Sequence, residues 1–261
     1  MPEVEDQCCQ LLIYIRLTQK GLVISMSKSH NANRNGLLAA LPKEEYERLV
    51  ANMETVSLKL KQSAYEYNQP IEYVYFIKNG VVSLLNVMED GKEVEVATIG
   101  NEGMVGLPVF LGSEKIPGRA FCQVPGDALR MKANVFKDKV TPGTRLHELL
   151  QRYTQALFNQ IAQAAACNTL HSVEERMCRW LLMTQDRVGK DDFPLTQEFL
   201  GQMLGVRRPT VSLAASILQK AGLICYSRGK ITILEREGLE ASTCECYAIV
   251  KAEFDRLVGG N

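Results

Sequence analysis

Histidine is scarce in this 261-residue chain. There are three, His30, His147 and His171, and none lies between residues 41 and 140. A β-barrel enzyme that works through a metal needs clustered histidines inside the barrel, so that class is excluded. No Ser/His/Asp arrangement and no glycine-rich phosphate loop occurs, and neither a catalytic residue nor an enzymatic role is expected. Long apolar runs are missing too: none approaches the ~20 residues that a membrane span requires. The eight cysteines include no C-x-x-C pair. Cys8 and Cys9 are adjacent, Cys244-x-Cys246 has no histidine near it in sequence, and Cys122, Cys167, Cys178 and Cys225 are scattered among apolar neighbours. That usage suits a reducing cytoplasm, and no metal site or cofactor is expected from it. An excess charge of one sign is absent, with 30 basic and 30 acidic residues. Any surface for a charged partner has to be local.

What is present suffices for two domains, since 46% of the residues are hydrophobic. Residues 1–36 read as a disordered extension. Their apolar patch, Leu11–Ile15, is too short for a signal segment and is followed by Arg16, and SKSHNANRNG is polar. Met26, just before that run, is a candidate start. Residues 37–142 begin with a helix near Pro42-Lys43-Glu44-Glu45 and continue with strands over 55–60, 72–78, 81–88 and 93–99. Asn79-Gly80 and Asp90-Gly91 read as hairpin turns. Val94, Val96 and Thr98 alternate with Glu93, Glu95 and Ala97, which predicts one buried and one wet face. Frequent turns up to Pro125-Gly126 imply a β-roll, jelly roll or barrel. Over residues 143–170, Leu146, Leu150, Tyr153, Leu157, Ile161 and Ala164 recur at threes and fours along a long helix. Such a seam makes a dimer contact or packs on its own β-domain. Residues 171–258 open with Ser172 and Glu175, a capping box, and close with an amphipathic helix over 237–258. The expected class is α+β.

Residues 195–221, LTQEFLGQMLGVRRPTVSLAASILQKA, read as two short helices about a tight turn. Thr196 is a natural N-cap, Gly205 supplies the left-handed residue that ends the first helix, and Pro209 opens the second. Val211, Ala214, Ala215 and Leu218 form a buried stripe. Arg207, Arg208, Thr210, Ser212, Leu213 and Ser216 are left at the front or outer side of the second helix. The arrangement is a DNA-reading helix-turn-helix or an ordinary packed helix pair. Ile224–Tyr226 and Ile231–Leu234 then flank Ser227-Arg228-Gly229-Lys230 as a hairpin, which makes a winged helix. No acid lies between Glu198 and Glu235, whereas Arg207, Arg208, Lys220, Arg228 and Lys230 are basic. Phosphate binding requires that pattern.

A β-roll, a long helix and a winged helix in this order resemble the Crp/Fnr family of bacterial transcription regulators over residues 37–236. FIKNGVVSLL, the EDGKEVEVATIG hairpin, the glycines of EGMVGLPVFLG, Arg119, SVEERMCRWLL and LTQEFLGQMLGVRRPTVS carry the resemblance. It implies a cytoplasmic homodimer on double-stranded DNA, away from any membrane, with RNA polymerase as a candidate further partner. An effector in the roll would shift the long helices and re-aim the recognition helices. A regulator that acts through a protein partner, with a degenerate winged helix, is the alternative.

Departures from the family are informative. In the cyclic-AMP receptor branch a glutamate, an Arg-Ser pair and a Thr-Ser pair hold the nucleotide. Gap-free counting places Leu107, Arg119-Ala120, Ile161 and Ala162 there. Each lost hydrogen bond to a charged group is worth about 1.5–3 kcal/mol, so cyclic AMP is not the expected effector. Arg119 alone is either an anion ligand or a structural residue, and any effector is an unknown small molecule. The family's Arg-Glu…Arg reading pattern becomes Arg208, Pro209 and Leu213, so the known operator does not carry over. The N-terminal cysteine spacing of the oxygen-sensing branch is absent.

Overall fold

The computed structural model describes residues 35–259. The start at Met26 and most of the expected disordered extension lie outside the described residues. Asn35 and Gly36, assigned above to that extension, belong to the folded body. Asn35 is buried and caps helix α1 (Gly36–Ala39), and its amide donates to Ile77 O at 2.9 Å and Gly103 O at 2.7 Å. Helix α2 (Lys43–Val50) carries Glu44 and Glu45 in its first turn, where the dipole favours acids. Glu45 also accepts the backbone N–H groups of Arg145 and Leu146, at 3.2 and 2.9 Å, and so caps the start of the long helix that follows the roll.

Eight strands form the roll: β1 (Glu54–Leu58), β2 (Ser63–Tyr65), β3 (Tyr73–Ile77), β4 (Val81–Val87), β5 (Glu93–Ile99), β6 (Met104–Val105), β7 (Gly118–Val124) and β8 (Gly126–Lys132). They make two antiparallel four-stranded sheets, β1-β8-β3-β6 and β2-β7-β4-β5. Helix α3 (Leu107–Phe110) bridges β6 and β7, and α4 (Ala133–Lys139) follows β8. Asp90-Gly91 does connect a paired hairpin, β4 to β5. Asn79-Gly80 does not, because β3 and β4 belong to different sheets. The pair turns a corner instead: Gly80 has φ 87° and Asn79 Oδ1 accepts the N–H of Asp127 at 2.8 Å. A left-handed glycine serves any sharp reversal. The alternation over 93–99 is also broken. Leu84 pairs with Ala97 but Leu85 with Glu95, so Val96 is the extra residue of a bulge. A bulge reverses which face later residues take. Ala97 and Ile99 therefore enter the roll's core, and Glu93 and Glu95 face the second domain instead of water.

Helix α5 (Arg145–Leu170) closes the roll. Leu146, Leu150, Tyr153 and Leu157 are buried within the chain's own first core, with Phe76, Met104 and Phe136. The expected dimer seam is thus spent largely on the β-domain, and Ala164 is only half-buried. Exposed apolar groups lie on the opposite side of the helix, with Phe158 66% and Ile161 37% accessible and Ala162 and Ala165 exposed beside them.

Helix α6 (Val173–Val188) starts at Ser172 with the capping box complete. Then come β9 (Asp192–Pro194), α7 (Gln197–Leu204), α8 (Arg208–Lys220), β10 (Ile224–Ser227), β11 (Lys230–Ile233), α9 (Arg236–Ser242) and α10 (Cys246–Leu257). The single terminal helix expected over 237–258 is two helices, broken at residues 243–245. Helix α10 runs back against α5. Asn159 donates to Glu253 at 2.6 Å, the rings of Tyr153 and Phe254 lie 6.3 Å apart, and Val258 joins the roll's core. A second core unites the winged helix with the roll's outer face: Val81, Leu85, Phe121 and Val124 pack with Trp180, Leu200 and Met203. Among the described residues no helix is long and apolar enough to cross a membrane.

Candidate nucleic-acid interface

The helix-turn-helix forms where the sequence places it. Thr196 Oγ1 accepts the N–H of Phe199 at 3.2 Å, and Gly205 ends α7 at φ 63°. Helix α8 begins at Arg208, with Arg207 as its N-cap and Pro209 in its first turn. Val211, Ala214, Ala215 and Leu218 are buried, which fixes the rotation of the helix. Arg207, Arg208, Thr210 and Leu213 are consequently exposed, the last at 62%. Ser212 and Ser216 are half-buried. The Ser212 hydroxyl donates to Gln197 Oε1 at 2.7 Å, so it ties the two helices together. Ile217, 44% accessible, continues the outward line of Leu213 and was missed. Its place one turn beyond Leu213 and outside the buried stripe was the available signal.

The wing is a three-stranded sheet, β10-β11-β9, in which β9 joins the expected hairpin. Arg228 and Gly229 both have positive φ, 50° and 75°, as a two-residue hairpin turn of the right twist requires. Arg228 and Lys230 are exposed at its tip. The acid-free stretch of sequence does not stay acid-free in space, because Asp192 on β9 reaches Lys230 Nζ at 2.6 Å. Both partners are at least half exposed, so the pair is weak and water competes for it.

The residues counted out as an effector pocket do not converge. Leu107 and Ala120 are buried in the roll's core. Ile161 and Ala162 are exposed on α5. Arg119 points to the other side of β7 from Ala120, since successive strand residues alternate faces. It pairs with Glu93 at 2.9 Å and Glu66 at 3.5 Å, and its guanidinium lies 5.5 Å from the Phe121 ring centre. Glu93 in turn accepts from Gln202 of α7 at 2.6 Å. Arg119 therefore belongs to the contact between the roll and the helix-turn-helix. The same contact holds Glu95, whose Oε1 accepts from Trp180 Nε1 at 3.1 Å while Oε2 is buried with no partner. Burial pushes this carboxyl up to about 7, against the pull of Ser83, Trp180, Arg179 and Arg187. Arg187 of α6 completes the seam, with Glu102 at 2.8 Å and Thr98 at 2.6 Å.

The reading of the cysteines needs one correction. Cys244 and Cys246 do have a histidine beside them, because the fold brings His171 and Cys167 of α5 to the break between α9 and α10.

Residues 55–141 match the family model of the cyclic nucleotide-binding domain, and residues 175–242 match that of the Crp-like helix-turn-helix domain. Together they cover more than half of the chain. No curated protein matches it. Among solved structures the chain is similar to FixK2 from Bradyrhizobium japonicum, with 19% identity and a TM-score of 0.62 over 74% of this chain and 98% of that one. It is also similar to the c-di-GMP-responsive global regulator CLP of Xanthomonas campestris, with 15% identity and a TM-score of 0.60 over 74% and 99%. A CRP-family transcriptional regulator from Thermus thermophilus gives 15% and 0.61 over 72% and 95%. At these identities the structures speak for the fold, and the two domain models add the function. The chain belongs to the Crp/Fnr family and is a DNA-binding transcription regulator of that type.

Proposed function

We propose that the protein is a homodimer that reads a pseudo-palindromic DNA site with α8, each protomer entering a major groove about one helical turn from the other. The observation that carries this is the division of α8 into a buried stripe and an exposed front bearing Arg207, Arg208, Thr210 and Leu213. Arg208, at the first helical position, reads a guanine edge, and Leu213 with Ile217 meets thymine methyl groups. Thr196, Ser216, Arg228 and Lys230 lie around this front and hold phosphates, while Ser212 supports it from behind. Protomers join through the exposed side of α5, at Phe158, Ile161, Ala162 and Ala165. Cyclic AMP is not the effector: Arg119 is already engaged by two carboxylates, and Leu107 and Ala120 are core residues.

Arg208→Ala tests the roles. It should weaken operator binding by about 1–3 kcal/mol while random DNA is bound nearly as before. Lys230→Ala should weaken both about equally and flatten the salt dependence. Titrations of labelled operator and scrambled duplex at several salt concentrations measure this. Equal losses on the two duplexes for Arg208→Ala would refute the assignment.

A further inference from the structure

The cluster at the end of α5 has the composition and geometry of a metal site. Cys167, His171, Cys244 and Cys246 each turn one ligand atom to a common point, and all four atoms lie within 4.8 Å of one another. Cys167 Sγ and Cys244 Sγ are 3.5 Å apart, and Cys246 Sγ is 3.6 Å from His171 Nδ1. Around a tetrahedral zinc with Zn–S near 2.3 Å, neighbouring ligand atoms sit ~3.5–3.8 Å apart. The Cys167–Cys244 and Cys246–His171 separations match a single ion, and all four atoms, within 4.8 Å of one another, need only a small contraction to hold it. A [4Fe–4S] cluster would hold each ligand on a different iron and further apart, and a [2Fe–2S] centre would spread its two ligand pairs over two irons.

The surroundings support the same reading. Cys167, Cys244 and Cys246 form a small buried group of their own, separate from both hydrophobic cores. His171 Nε2 meets Glu245 Oε2 at 3.2 Å, which orients the ring so that Nδ1 faces the sulfurs. Gln163 Nε2 donates to Cys246 Sγ at 3.1 Å, as second partners of metal thiolates do. Arg176 and Arg179, in the first turns of α6, are buried, and each leaves its Nε unpartnered. Three thiolates around a divalent ion carry a net negative charge, which these guanidiniums would balance.

We propose that Cys167, His171, Cys244 and Cys246 bind a structural zinc ion. Zinc binding displaces the thiol protons to solvent and forms three Zn–S bonds and one Zn–N bond, with no redox change. The ion fastens the α9–α10 break to the junction of α5 and α6, next to Arg176, which donates to Leu204 O at the end of α7. Its place is therefore the hinge between the roll's long helix and the DNA-reading unit. The full-length protein, purified anaerobically with reductant and no added metal, is assayed for zinc, iron and acid-labile sulfide, and the chelator-stripped protein is titrated with cobalt(II). Zinc should be stoichiometric, and cobalt should give the intense thiolate charge-transfer and visible bands of a tetrahedral tri-thiolate site. Cys246→Ser and His171→Ala should lose most of the zinc, and Cys122→Ala, a buried thiol elsewhere, should keep it. Protein without zinc and without the cobalt spectrum would overturn the proposal. So would iron with sulfide in its place, or a Cys167–Cys244 disulfide found by peptide mapping of the same material. If a variant fails to fold, the metal content and cobalt spectrum of the unaltered chain still decide.

Discussion

Glu95 is the residue on which the contact between the two domains is most exposed to pH. Its carboxyl is pushed up to about 7 by burial, so the folded protein holds the proton more tightly than the unfolded chain does. The stabilisation is complete below the ordinary carboxyl value and is lost as pH rises through about 7. The melting temperature should therefore fall between pH 4.5 and about pH 7, and Glu95→Gln, which keeps an acceptor for Trp180, should flatten that slope. Calorimetric melts of both proteins across the range measure it, and an unchanged slope in the variant would count against the account. None of this was legible at the residue. Glu95 looks like the wet half of an alternating strand, and only the bulge at Val96 turns it toward the second domain.

Among the elements, the helix-turn-helix was readable almost residue by residue, because its determinants are local. Thr196, Gly205 and Pro209 act on the turn they occupy, and the stripe from Val211 to Leu218 follows from the helical repeat alone. Helix α5 shows the opposite case. A repeat of apolar residues says that a face is covered, but not by what. Leu146, Leu150, Tyr153 and Leu157 are covered by the chain's own roll, which leaves Phe158 and Ile161 exposed, where the proposed dimer contact lies. Phe158→Asp should raise the dimer dissociation constant tenfold or more, about 1.4 kcal/mol, with little loss of monomer stability because the side chain is exposed. Sedimentation across a concentration series is the check, and an unaltered dimer would remove this face from consideration. The cysteine cluster was hidden for a third reason: Cys167 and Cys244 are 77 residues apart, and neither half of the set is a recognised motif alone. The C-x3-H spacing at a helix end, with C-x-C elsewhere, was the only trace.

For the whole molecule, the decisive feature is a core shared between the roll and the winged helix. Phe121 meets Phe199 edge to face at 5.6 Å, and Arg119, Glu93 and Gln202 form a polar chain beside them. A ligand can shift this arrangement only by binding one state better than another. Because Arg119 is built into the contact, a cyclic nucleotide would have to break two ion pairs before it gained one. Calorimetry with cyclic AMP and cyclic GMP should show no micromolar binding, and gel shifts should show no gain in operator affinity. Binding with a several-fold gain would reverse that conclusion. Fold class and element order were legible at this scale, since composition, turns and helical repeats set them. The packing of one domain on the other was not, because it depends on which strand face is turned outward.

The return of α10 to the roll has a consequence for biosynthesis. Phe254, Leu257 and Val258 pack on the core that Leu146 and Leu150 close, so the roll is finished by a helix that follows the whole winged helix in the chain. At ~5–20 residues per second, the ribosome leaves that wall of the roll uncovered for roughly ten seconds. Over that interval the nascent roll presents an apolar surface to the cell, until α10 has emerged to cover it.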